Sequence, residues 1–474
     1  MRSLRKTSFH GYRWPGRQRG AVMILVVGAL LAILAMAALA LDGGHMLLNK
    51  TRLQNAVDAA ALSGAKALSK ALDDPDAYLA AATAARATLV LNANPDGGNG
   101  ELAKAINKAG GVGVFAKVEF SDRVYGTFYE IPAPGVSVRY VRVTVPDYPL
   151  AEFFWGILQA IGTGNDTKKA VAAMATAGPS PSAAPCDLAP LVVCGVEEKG
   201  SYYGYQFGDL EVLKTAANDE SLANGNYQLL DFGNGAKTVG EQLAGGGNVC
   251  PEIGANVLTK PGNTVGPSIS GLNTRLGDYE GSFKGTNDKY PPDLVVGYDK
   301  LGSGNNQRPA LSLNDSGVIV YGADANGGNN ADPGIPVGAK PNGDMYYSDA
   351  DAPGGEANLL DYNDWKMASD ACILDKSGCT QGGVFERRIL KIVVGDCKNL
   401  KGGATQVPVL GFGCFFLVQP GIDTGGDAQI FGQFIEQCEG DGVAGPKPVN
   451  DQGPLIIQLY KSFISGWNTP SKDS

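Results

Sequence analysis

Histidine is almost absent: the 474-residue chain has two, His10 and His45. A Ser-His-Asp or Cys-His centre uses an imidazole to take the nucleophile's proton, so the long chain after residue 45 has none to build one with. No Cys-x-x-Cys occurs either, which leaves zinc without a ligand set. Two glycine-rich stretches miss their motifs. Gly266-Pro267-Ser268-Ile269-Ser270 lacks the closing Gly of a nucleophile elbow, and Gly235-Ala236-Lys237-Thr238 breaks the Gly-Lys-Thr core of a phosphate loop. Asp324 to Asp332, and Asp349 with Asp351 and Glu356, offer hard oxygen ligands without EF-hand spacing and read as solvated turns. The expectation is a chain with no catalytic residue, cofactor or metal site.

Basic charge is scarce where it would matter for nucleic acid. Charged residues make up 18% of the chain, and six of its 39 Lys and Arg lie in residues 1–20, which hold no acid. Removing those six leaves 33 basic residues against 48 acidic ones, a net −15. Binding phosphates needs clustered Lys and Arg, so this body is not expected to bind nucleic acid. What is abundant is glycine, at 66 residues, together with 27 prolines, which implies many turns and long loops.

From Ala21 to Leu41 the chain has no charged side chain: AVMILVVGALLAILAMAALAL. A helix of that length crosses a hydrocarbon core of roughly 30 Å. The basic leader before it and Asp42 after it predict a cytoplasmic amino terminus, with everything from Asp42 onward on the other side. A second reading is a cleaved signal peptide, for which Ala38-Leu39-Ala40 resembles a cleavage site. All eight cysteines, Cys186, Cys194, Cys250, Cys372, Cys379, Cys397, Cys414 and Cys438, follow the run. An even number in an oxidising compartment predicts disulfides, whose connectivity spacing does not choose.

Beyond the run, Gly43-Gly44 is expected to loosen the helix. Leu53, Ala56, Val57, Ala60, Ala61, Gly64 and Leu68 then form a helical stripe. Ala56, Ala60 and Gly64, four apart, make an edge that another helix could approach closely, either a partner's or one of the same domain. The stripe ends at Asp73-Asp74-Pro75 and a second helix is predicted from Asp76 to Leu91. Period-two patterns predict strands at Val112–Phe120, Tyr125–Ile131 and Val136–Val145, the last closed by Pro146. Leu150 to Ile161 reads as a core helix, with an interfacial helix on a bilayer as its alternative.

The Pro- and Ser-rich segment 178–185 reads as a linker. Residues 200–357 read as a loop-dominated insertion; strands are predicted at Ile389–Val394, Val407–Val418 and Leu455–Tyr460, and a short helix at Ala428–Gln437. The fold class is thus α+β: a single transmembrane helix (21–41) after a cytoplasmic leader (1–20), and a proximal domain of helices on an antiparallel sheet (42–177). A cysteine-containing, loop-rich, mostly β domain occupies 186–474.

Arg19-Gly20 before the run, Ala40-Leu41-Asp42-Gly43-Gly44 after it and RLQNAVDAAALSGA from Arg52 to Ala65 resemble the TadE/TadG-like proteins of Flp pilus assembly and tight adherence. The resemblance covers residues 17 to 68. More weakly, Val143-Thr144-Val145-Pro146, Cys186 with Pro190-Leu191 and Cys194, Arg387-Arg388-Ile389 and Gln458-Leu459-Tyr460 look like features of longer members. It implies a single-pass inner-membrane protein with a periplasmic body, whose partners are the membrane and other pilus-assembly or pseudopilin proteins, with homo-oligomerisation left open. It implies assembly or anchoring of a pilus; the alternative is an adhesin using the Gly/Asn/Tyr-rich region. Cleaved pseudopilins of that kind carry Glu as the fifth mature residue, where this chain, counted from Gly20, has Leu25. The Asp-x-Ser-x-Ser of a von Willebrand factor A-like metal site is missing. Pilin-like polymerisation and metal-dependent adhesion are accordingly not expected.

Overall fold

The computed structural model describes residues 21–70, 76–94, 99–155, 168–196, 202–214, 226–233, 235–247, 249–261, 264–304, 307–323, 333–398, 404–423, 428–440, 443–444 and 453–462. The chain divides into two units, 1–178 with 459–474, and 179–458.

The first unit is built on one helix, α1 (Ala21–Lys70). At 1.5 Å per residue it extends about 75 Å. It runs unbroken through Gly43 and Gly44, where a loosening was expected; backbone hydrogen bonding continues and a Cβ at either glycine would meet open space. Its first part is exposed on nearly every side. Its second part buries Leu53, Val57, Ala61 and Leu68 in this unit. The covering elements are α2 (Ala77–Asn92) and a sheet of β1 (Lys117–Ser121), β2 (Tyr140–Pro149) and β3 (Ala170–Ala184). The sheet is antiparallel, with Val118 opposite Val143 and Val143 opposite Ala175. A third helix, α3 (Gly100–Lys108), precedes β1.

Local pattern and structure part company at several points. Val112–Phe115 is a helical turn, and pairing starts only at Lys117. Tyr125–Ile131 is a loop rather than a strand, joined to β1 by the single bridge Phe120–Tyr129 while Phe128 lies under the Arg142 guanidinium at 3.7 Å. Strand β2 does not stop at Pro146; a register shift between Val145 and Tyr148 takes up the proline and pairing resumes. The 178–185 segment is not an irregular linker. Residues 178–184 lie in β3, with Ser180 and Ser182 buried. Small side chains permit this: Gly178 lies under the Tyr140 ring, where a Cβ would collide. The 186–474 domain also loses its end, because residues 459–474 belong to the first unit, where Tyr460 stacks edge-on to Tyr140 and Ser462 Oγ hydrogen-bonds to Thr176 Oγ1.

The second unit is mostly β. Its main sheet orders the strands Ile422–Asp423, Ala428–Ile435, Gln406–Leu417, Ile389–Gly395 and Val192–Cys194, the last pair parallel. Leu210–Lys214 adds to Ala428–Ile435, and Asn256–Pro261 to Gln406–Leu417. Phe412, Phe415, Phe416, Phe431 and Phe434 are buried along it. Ala428–Ile435, expected as a helix, is a strand because it is hydrogen-bonded on both sides; Gly432 there lies against Leu213 and Phe415, with no room for a Cβ. The insertion has more order than its composition suggests: Leu311–Leu313, Ile319–Tyr321, Ile335–Ala339, Met345–Ser348 and Glu356–Asn358 form an antiparallel meander. The helix Tyr362–Asp375 follows, opened by a capping box in which Asp361 accepts from the Asn363 and Asp364 backbones.

The small-residue edge of α1 takes a helix, and that helix is α2 of the same chain. Ala56, Ala60 and Gly64 are buried within the first unit. A Cβ at Gly64 would stand 3.1 Å from the Ala85 Cβ and the Val141 Cγ1 and 3.2 Å from the Ala81 carbonyl oxygen. Gly64→Leu is therefore expected to cost about 1–3 kcal/mol by overpacking. Gly44→Ala, in open space, should gain roughly 0.5–1 kcal/mol of helix propensity. Thermal proteolysis of the two purified variants checks this; equal midpoints would show that the α1–α2 crossing is not tight.

Candidate functional site

Where the apolar run of α1 ends, a polar cluster is built inside the first unit. Asp42, the first residue after the run, is 1% exposed, and Lys169, just before β3, is also 1% exposed. Their side chains meet at 2.8 Å. The carboxylate also accepts the Phe153 and Phe154 backbone N–H groups at 3.1 and 2.7 Å. Burial by itself would raise the Asp42 carboxyl, but the Lys169 hydrogen bond, the two backbone N–H groups and the Lys169 charge together hold it below the usual carboxylate range.

The cluster extends one turn up the helix. Lys169 Nζ donates to the Ala151 carbonyl at 2.7 Å and lies 3.1 Å from His45 Nδ1. The other ring nitrogen of His45 lies 2.8 Å from Glu101 Oε2 on α3. Glu101 Oε1 accepts the Ala151 N–H at 2.5 Å. Asn49, one turn above His45, donates to the His45 carbonyl at 3.0 Å and accepts from the Tyr148 hydroxyl at 3.4 Å. Burial and the Glu101 charge push the Tyr148 hydroxyl upward, so it stays a neutral donor. Every partner here holds another, so the cluster fastens these elements together. It ties the exit of α1 to α3, to the segment after β2 and to the start of β3. Further up the helix, Gln54 donates to the Met174 carbonyl on β3 at 3.1 Å.

Of this cluster the sequence singled out only Asp42, as a charge closing the run. Lys169 is 127 residues away in sequence. The available signal was that a carboxylate forced beside a membrane helix needs a cation, and Lys168-Lys169 is the pair of adjacent lysines that precedes β3.

In the second unit the buried charges also serve structure. Arg388 is 1% exposed and spreads its guanidinium over four carbonyls: Leu417 at 2.9 Å, Val418 at 2.7 Å, Gly297 at 2.8 Å and Val295 at 3.3 Å. Its plane lies over the Phe416 ring at 4.4 Å. Asp293 accepts the Arg388 N–H, the Trp365 indole N–H and the Val295 N–H at 2.8, 2.8 and 2.9 Å. Burial lowers Arg388 to about 10, which leaves it charged at neutral pH. Arg275, lowered by burial to about 9, donates to the Leu243 and Arg387 carbonyls. Glu211 is raised to about 7 by burial and then by Asp209.

The eight cysteines pair as Cys186–Cys250, Cys194–Cys397, Cys372–Cys379 and Cys414–Cys438. All four bridges lie in the second unit. The acidic stretch 324–332 lies outside the described residues, as do the predicted helix end at 73–75 and the second half of the 150–161 stripe; in its first half only Trp155 is helical, so the expected core helix does not begin at Leu150. In the second acidic stretch, Glu356 is held by Lys340 at 2.8 Å and Asp349 accepts the Asp351 N–H. Among the described residues no three acidic, His or Cys side chains are grouped to hold a metal.

Residues 20–67 match the family model described as putative Flp pilus-assembly TadE/G-like. Within the described residues the match coincides with α1: the apolar run, the Asp42 fastening and the buried stripe that carries α2. No curated protein and no solved structure matches the chain.

Proposed function

We propose that this protein is a non-catalytic, membrane-anchored component of Flp pilus assembly or anchoring, with its amino terminus in the cytoplasm and its body in the periplasm. The observation that carries this reading is the family match over residues 20–67, which coincides with a helix long and apolar enough to cross a membrane. The orientation is supported by six basic residues before the run and none of the opposite sign. Four disulfides, all beyond the run, suit an oxidising compartment. The chemistry supports contact rather than turnover, since the buried charges are spent on one another and on backbone groups. The anchor holds the proximal unit against the membrane, and the disulfide-braced unit presents its surface to other proteins of the pilus machinery.

Pilus number by electron microscopy in a complemented in-frame deletion tests the reading. Loss of pili, restored by the full-length gene, is expected. Normal pili with defective attachment would instead favour an adhesin working through the Gly/Asn/Tyr-rich region, and normal pili with normal attachment would overturn both.

A further inference from the structure

We propose that the first unit rests directly on the bilayer through the segment Ala151–Trp155, with Phe153 inserted among the lipids. This rests on the reading of Ala21–Leu41 as a membrane span. The Asp42 carboxylate holds the Phe153 and Phe154 N–H groups, so the segment is fixed to α1 at the first residue after the run. Ala38 lies about 6 Å further back, one turn inside the run. It is 2% exposed, whereas Leu39 and Leu41 beside it are 64% and 56% exposed.

Ala38 is thus enclosed at the depth of the run itself. The segment held by the Asp42 carboxylate is fixed at the first residue beyond a membrane span, which places it at the interface. Phe153 is 61% exposed there, although its ring is held edge-on to His45 with centroids 5.3 Å apart. Held there through its backbone by the Asp42 carboxylate, this large apolar side chain is placed to meet lipid. Leu47 and Leu48 on α1 are likewise 68% and 49% exposed.

The occupant is lipid rather than an ionic partner. Among the described residues, the exposed charges flanking this foot, Glu152 and Lys168, are of opposite sign and offer no net attraction. The buried Asp42–Lys169 pair is neutral as a unit and can approach the interface without an unpaired charge. Aromatic rings are favoured at that level of a membrane.

The test uses the full-length oxidised chain, whose described cysteines are all bridged, so that one added cysteine carries an environment-sensitive nitrobenzoxadiazole label. Labels at Phe153→Cys, Leu47→Cys, Leu34→Cys in the run and Leu79→Cys are compared in phosphatidylcholine nanodiscs containing doxyl lipids. Leu79 is on α2 beyond Ala81, which packs on Gly64, about 33 Å along α1 from Asp42. The Phe153 label is expected to be blue-shifted and quenched by shallow doxyl at least about threefold more than the Leu79 label. If Phe153→Cys fails to fold, a label at Ala151→Cys, exposed in the same segment, carries the same comparison. Quenching at Leu34 with Phe153 no different from Leu79 would overturn the docking and leave the span standing. No quenching at Leu34 would overturn the span. A blue shift at Phe153 without lipid quenching would mean that a second copy covers it, and would also overturn the proposal.

Discussion

Asp42→Asn is expected to destabilise the first unit by about 3–5 kcal/mol, because it strands the buried Lys169 ammonium without its counter-charge. The asparagine keeps one carbonyl oxygen where the carboxylate offers Oδ1 to the Phe153 N–H and Oδ2 to the Phe154 N–H, so the loss combines the ion pair with one of those two bonds. Lys169→Met should be comparably damaging, since it leaves a carboxylate beside the membrane run. Joining the two changes removes both charges, and the double variant is expected to recover much of what either single variant loses. Protease resistance of residues 42–177 in nanodiscs, followed against temperature, gives the readout. A double variant as unstable as the sum of the singles would show that the two side chains do not act together.

The same pair predicts a pH dependence. The folded-state Asp42 carboxyl lies below its unfolded value, so its contribution is fully present above the ordinary carboxylate range of about 4. It is lost as pH falls through the lowered folded value. Asp42→Asn should flatten the acid limb of the stability curve and leave its shape near neutrality unchanged.

Arg388→Leu is expected to prevent the second unit from accumulating in its oxidised form. Four carbonyls and the Phe416 face lose their donor at once, and a buried unsatisfied acceptor costs about 1–3 kcal/mol. Even with relaxation the total should reach on the order of 4 kcal/mol, a large share of the 5–15 kcal/mol that holds a domain folded. Arg388→Lys should recover little, because an ammonium has no planar fork to span carbonyls on both sides of the sheet edge. Alkylation mass spectrometry counts bridged cysteines in the exported protein. Eight bridged cysteines and an unchanged melting point in Arg388→Leu would remove the clamp from the account.

Arg388 also shows how far sequence reading reaches. Arg387-Arg388-Ile389 could be marked as a resemblance to longer family members, but nothing local tells whether an arginine faces water or a ring of carbonyls. Those carbonyls come from residues 295–297 and 417–418, far apart in the chain. Small residues carry the opposite lesson. The spacing of Ala56, Ala60 and Gly64 announced a close helix approach, because that depends only on side-chain size along one helix edge. Which helix arrives is decided by the tertiary fold, and it is the chain's own α2.

What the sequence determined by itself is whatever follows from local period and composition. The uncharged run, the α1 stripe, α2, the strands near 389–394, 407–418 and 455–460, and the even cysteine count needed no partner to be recognised. The tertiary structure alone decided the pairing of those cysteines, the meeting of Asp42 with Lys169, the strand at Ala428–Ile435 and the extended course of the Pro- and Ser-rich segment 178–184. Each depends on groups distant in sequence being brought together. A strand becomes one by having neighbours to hydrogen-bond, and a charge survives burial only when the fold delivers its counter-ion.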